Sequence, residues 1–150
     1  LLQSKWLYFI AGTLIIVLLL RHFLSVKESI ERTTQIELPF GTETIETVDN
    51  YEYACEGKFL IPESEIRSFI REYGLQPVGN DPLPKFGVML LSKKNQPVMH
   101  QNQPFFVLED CLEQNSWRVL LNGRTGELWI VLNYPDMAGD YLPCNARITS

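Results

Sequence analysis

Fifteen residues without a charge, Trp6 to Leu20 (WLYFIAGTLIIVLLL), constrain this chain more than any other stretch, and cations at Lys5 and Arg21 close them on both sides. A helix rises about 1.5 Å per residue, so the run spans roughly 22 Å against the ~30 Å of a bilayer's hydrocarbon core. If Arg21 and His22 reach outward, the apolar face continues through Phe23 and Leu24 to spanning length. Trp6 and Tyr8 at one end match an interfacial aromatic belt, and Leu20 and Arg21 mark the other boundary. No small-residue cleavage site follows, which argues against a removable signal peptide. The expectation is an uncleaved signal anchor, with residues 6–24 in contact with the lipid bilayer. The cation count after the run favours a domain kept inside, whereas the plan of a signal anchor favours export. The expectation adopted is a single-pass protein of the inner membrane with an extracytoplasmic, periplasmic domain.

Periodicity continues beyond the run. Phe23, Val26 and Ile30 recur at helical spacing and Glu28 precedes Arg32 by four, which predicts a helical stalk. The division that follows is 1–34 as anchor and stalk and 35–150 as one α+β domain. Its sheet should be mainly antiparallel. Thr42 to Ile61 reads as a hairpin turning at Asp49-Asn50, FGVMLLS (86–92) as a central strand, and Pro104 to Leu108 as another. SWRVLL and ELWIVLN form the clearest hairpin, with Asn122-Gly123 and Gly126 expected to supply positive φ angles in the loop. One packing helix is well marked over about 62–73: Pro62 opens it, Gly74 follows it, and Ile66, Phe69, Ile70 and Tyr73 share a face.

The charge is placed unevenly. Between Gln35 and Glu72 nine acids face three bases, a balance that repels phosphate backbones and excludes nucleic acid as the natural partner. A basic protein partner suits it better.

No residue pattern states a chemistry. His100 with Cys111 could form a base and nucleophile, but Glu109, Asp110 and Glu113 around that cysteine raise a thiol pKa. Asp136 and Asp140 in a Pro/Gly-rich loop read first as turn formers. Cys55, Cys111, Cys144 and His100 lack the close spacing of a zinc site. No catalytic residue, cofactor or metal is therefore assigned. Exposed aromatic residues beside charge are the stuff of binding hot spots, so Trp129, Tyr134, Asp136, Glu43, Glu46 and Glu52 are the candidate partner contacts. The functional expectation is a membrane-anchored, non-catalytic protein-binding domain, in its concrete form an immunity or inhibitor protein that neutralises a toxin in the bacterial envelope. The alternatives are an anchored hydrolase using loop carboxylates or the Cys/His pair, and an envelope-assembly or sensor component.

Overall fold

The computed structural model describes residues 12–15, 26–52, 54–78, 90–98, 103–112 and 115–134. They build one six-stranded sheet in which every pairing is antiparallel, in the order β1-β2-β6-β5-β4-β3. The strands are β1 (Glu43–Asp49), β2 (Ala54–Leu60), β3 (Gln76–Pro77), β4 (Phe105–Leu112), β5 (Asn115–Asn122) and β6 (Glu127–Asn133). Helices are few: α1 (residues 26–34), α2 (Ile66–Tyr73), four helical residues at 12–15, and short 3-10 turns at Glu63–Glu65 and Lys93–Asn95.

The expected membrane-spanning helix is corrected here, and with it the signal anchor and the single-pass periplasmic placement. Among the described residues no helix is long and apolar enough to cross a membrane. The helix that follows the run, α1, cannot itself span: it carries Lys27, Glu28, Glu31 and Arg32, while its apolar residues Val26 and Ile30 are buried in the protein's own core. Trp6, Tyr8, Leu20 and Arg21 lie outside the described residues. The architecture of the described residues is a small antiparallel sheet with few helices.

Alternation along the strands separates the two faces of the sheet. Phe59 and Cys55 of β2, Leu128, Ile130 and Leu132 of β6, and Trp117, Val119 and Leu121 of β5 point to one side. There they meet Val26 and Ile30 of α1, Ile36 and Leu38 after it, and Ile66 and Phe69 of α2. β6 is buried on its other side too, through Trp129 and Val131, which is why ELWIVLN is apolar at five consecutive positions. That second face is covered by residues 90–97, with Leu91 packed on Phe105, Leu120 and Trp129.

Local chemistry explains how α1 ends. Thr34 Oγ1 donates to the Ile30 carbonyl at 2.8 Å and accepts the Ile36 N–H at 3.2 Å. Gln35 takes a left-handed conformation (φ 57°), and the Leu38 N–H then reaches Glu31 Oε1 at 2.9 Å. The chain therefore folds back so that Ile36 and Leu38 return to the core from which Ile30 came. Close approach of α1 depends on Gly57 in β2, where a Cβ would lie 3.2 Å from Ile30 Cδ1 and 2.5 Å from the Phe59 ring.

The 62–73 stretch holds the 3-10 turn Glu63–Glu65 followed by α2, ending at Gly74 in the left-handed region with the Leu75 N–H on the Ile70 carbonyl at 3.0 Å. The hairpin between β1 and β2 turns through Asn50, whose Oδ1 accepts the N–H groups of Glu52 (3.1 Å) and Ala54 (3.0 Å). In the β5–β6 loop only Gly126 has positive φ (75°), and Gly123 does not. Asn122 replaces the second expected glycine contact, its Oδ1 accepting the N–H groups of Arg124 and Thr125 at 3.0 and 3.2 Å. Of the strand expected at 86–92, residues 86–89 lie outside the described set and Leu90–Ser92 are not strand.

Candidate functional site

Two places in the fold collect chemistry, and a third presents surface. The first is on the face covered by residues 90–97. Glu56 is fully buried, and its Oε2 accepts the N–H groups of Leu90 (2.7 Å) and Leu91 (3.1 Å). Glu46, beside it on β1, accepts the Ser92 N–H (3.1 Å), the Ser92 hydroxyl (2.7 Å) and Asn95 Nδ2 (2.6 Å). Two carboxylates thus hold three consecutive backbone N–H groups and strap the 90–97 segment to the sheet. Trp129 Nε1 donates to the Asn95 carbonyl at 2.7 Å and closes the same strap. Lys58 lies 5.2 Å over the Trp129 ring and pairs with Glu127 at 2.9 Å, while Arg118 pairs with Glu109 farther along.

The two strap carboxylates titrate in opposite directions. Burial pushes Glu56 above the usual carboxylate range, against the pull of its two backbone N–H donors, and the charge of Glu46 pushes the same way. Glu46, well hydrogen-bonded by Asn95 and Ser92, is held below that range even though burial opposes the shift. For Glu56 the sign of the linkage is that of a raised acid. The native state holds its proton more tightly than the unfolded chain, so the stabilisation is complete below 4.5 and is lost as pH rises through the native value. Glu56→Gln is therefore expected to raise the urea midpoint at pH 7 relative to the parent and to leave it unchanged near pH 4. Glu56→Ala, which strips the buried Leu91 N–H and the part-buried Leu90 N–H of their acceptor, should cost about 1–3 kcal/mol at both.

The second place is at the far end of the helix-covered face, where Tyr134 donates to Asp49 Oδ2 at 2.9 Å beside Cys55. Burial, with Asp49 nearby, pushes the Cys55 thiol up to about 12, and burial with the same neighbours pushes the Tyr134 phenol up as well. A thiol held protonated at neutral pH is a packing group and not a nucleophile. Cys55 is a free thiol.

The third place was not foreseen from the residue pattern. Thr42 closes a turn on Pro39, its N–H at 3.1 Å and its hydroxyl at 2.6 Å from the Pro39 carbonyl. That turn holds Phe40 with its side chain fully in solvent, at 102 % relative exposure. Phe40 is part of the lining of a groove of about 410 Å³ between residues 37–40 and α2, to which Leu38, Phe69 and Tyr73 also contribute. Tyr73 ties the walls together: its hydroxyl accepts the Glu37 N–H at 3.0 Å and donates to the Glu37 carbonyl at 3.3 Å. Glu37, Glu65 and Glu72 line the groove, and among the described residues no basic residue does.

The sequence-derived contacts do not converge. Trp129 points away from Leu128 and Ile130 as alternation requires, yet it is buried under the strap. Tyr134 packs on the opposite face against the main core. Glu46 is engaged by Ser92 and Asn95, whereas Glu43, at the start of edge strand β1, and Glu52, in the following turn, are exposed. Asp136 lies outside the described residues, as do His100, Asp140 and Cys144. Among the described residues no group of histidine, cysteine and carboxylate side chains is placed to hold a metal ion. Compared with family models, with curated proteins and with solved structures, the chain matches none.

Proposed function

We propose that the chain is a non-catalytic protein-binding domain whose contact surface is the groove between residues 37–40 and α2. The observation that carries this reading is Phe40. Single exposed apolar residues are ordinary on a protein surface. Phe40 differs because a hydrogen-bonded turn fixes its backbone at the surface, and because it adjoins a groove that three glutamates line. An exposed aromatic side chain carried on a fixed turn offers a large apolar area for a partner to bury, and such anchors dominate binding energy at interfaces. The groove walls are backbone held by Tyr73 and a helix locked into the core through Phe69, so the surface is preformed.

A photo-reactive phenylalanine analogue placed at Phe40 tests the reading in cells of the source. A discrete protein adduct is expected from position 40 and none from exposed Arg124, on the β5–β6 loop. Equal adducts at both positions, or none at 40, would remove the groove from consideration.

A further inference from the structure

We infer that the occupant of this groove is a basic amphipathic segment of another protein, one that sets lysine or arginine side chains on either side of an aliphatic or aromatic residue. The inference rests on the groove being the binding surface. It adds the chemistry of what binds there.

Charge complementarity is the argument. Glu37, Glu65 and Glu72 line the groove together with Leu38, Pro39, Phe40, Phe69 and Tyr73, and among the described residues no lysine or arginine lines it. Among the described residues no salt bridge reaches any of the three glutamates. Glu65 is shared with the hydroxyls of Ser64 (3.4 Å) and Ser68 (3.2 Å), so Glu37 and Glu72 carry the open carboxylates of the groove.

A second hollow of about 540 Å³ continues on the other side of the same segment. It shares Glu37 and Leu38 and adds Glu28, Glu31 and Arg32. Glu31 is already committed to the Leu38 N–H and lies 4.0 Å from Lys27, and Glu28 and Glu37 share that side with the cation Arg32. Carboxylates thus continue beyond the first groove, and the length of the two hollows favours a segment over a single side chain.

Exposed Phe40 and the acidic lining together exclude the alternatives. A wholly apolar partner would cover three carboxylates without replacing their water, which is costly. An acidic or phosphorylated one would be repelled. A segment with an apolar residue over Leu38 and Tyr73, against Phe40, and cations over Glu37, Glu65 and Glu72, satisfies both parts.

The test is selection from a displayed library of random 12-residue peptides on the 150-residue chain, followed by affinity measurement on variants whose melting matches the parent. Enriched peptides are expected to carry excess lysine and arginine around an apolar residue, and their affinity should fall with added salt. Glu37→Lys/Glu72→Lys should weaken them at least tenfold. Glu43→Lys/Glu52→Lys, with the same change in net charge but outside the groove, should leave them within about twofold. Peptides without excess positive charge, or peptides indifferent to the Glu37/Glu72 reversal yet lost with Phe40→Ala, would overturn the inference and leave the groove standing. Peptides indifferent to Phe40→Ala would remove both. Failure to select any binder, or self-association of the chain that Phe40→Ala abolishes, would likewise overturn a basic partner, the latter by showing a second copy as the occupant.

Discussion

Ile30→Ala is expected to lower the unfolding free energy by about 2–5 kcal/mol, the range for emptying a fully buried site of this size. The residue is wholly buried in the main core, and its Cδ1 sits over Gly57 of β2. Typical domains are stable by only about 5–15 kcal/mol, so one substitution in α1 would consume a large share of the total. Urea denaturation followed by tryptophan fluorescence measures it, with an unchanged dependence on denaturant showing that the same surface unfolds. Ile30→Val should cost about 0.5–1.5 kcal/mol on the same scale. Were α1 a free extension of the domain, both would fall within about 0.5 kcal/mol, as surface substitutions do. The result thus decides whether residues 26–38 are part of the fold that positions Phe40.

Gly126→Ala should be the most damaging change to a single small residue. Gly126 has φ 75°, and a Cβ there would lie 2.5 Å from the Ile61 carbonyl oxygen, a backbone atom that cannot rotate away. The two residues are already joined, because the Ile61 N–H donates to the Gly126 carbonyl at 3.0 Å. Gly74 supplies the comparison: its φ is 66°, but nothing lies within 4 Å of the position a Cβ would take. Gly74→Ala should therefore cost only the left-handed strain, about 1 kcal/mol. Gly126→Ala adds displacement of the backbone that links β2 to α2, and a loss above about 3 kcal/mol is expected, at the upper end of point substitutions. Equal losses at the two positions would mean that the Ile61 contact relaxes freely.

The difference between these glycines shows what could be read in the residues alone. Periodicity finds strands and helices because it records which side of an element is buried. SWRVLL and ELWIVLN pair as β5 and β6, and Ile66, Phe69, Ile70 and Tyr73 turn α2 toward the sheet. Periodicity does not say against what a face is buried. Val26 and Ile30 lie in helical register with the apolar run before them, so they read as the continuation of an anchor, whereas they are core residues of the sheet domain. Trp129 shows the same gap from the other direction. Alternation puts it opposite Leu128 and Ile130, and only the tertiary cover from residues 90–97 buries it.

The groove lay beyond reach for a further reason. Leu38-Pro39-Phe40-Gly41 is legible as a turn, but an exposed phenylalanine in a turn and a buried one have the same local sequence. What makes Phe40 informative is the meeting of residues 37–40 with α2 across 36 positions of chain, through Tyr73 and the Glu37 backbone. Acidity in the first part of the domain was visible as composition. The occupation of its strap carboxylates depends on Ser92 and Asn95 arriving from far along the chain to engage Glu46, whereas Glu37 and Glu72 stay open at the groove.

Amide hydrogen exchange, measured on the chain alone and with the tightest selected peptide, tests the binding surface most directly. Slower exchange is expected at residues 36–40 and along α2 on binding, with β5 and β6 unchanged and with no slowing at all in Phe40→Ala. Protection confined to β1, to the β5–β6 loop or to the 90–97 strap would contradict the assignment of the groove as the place where this domain meets its partner.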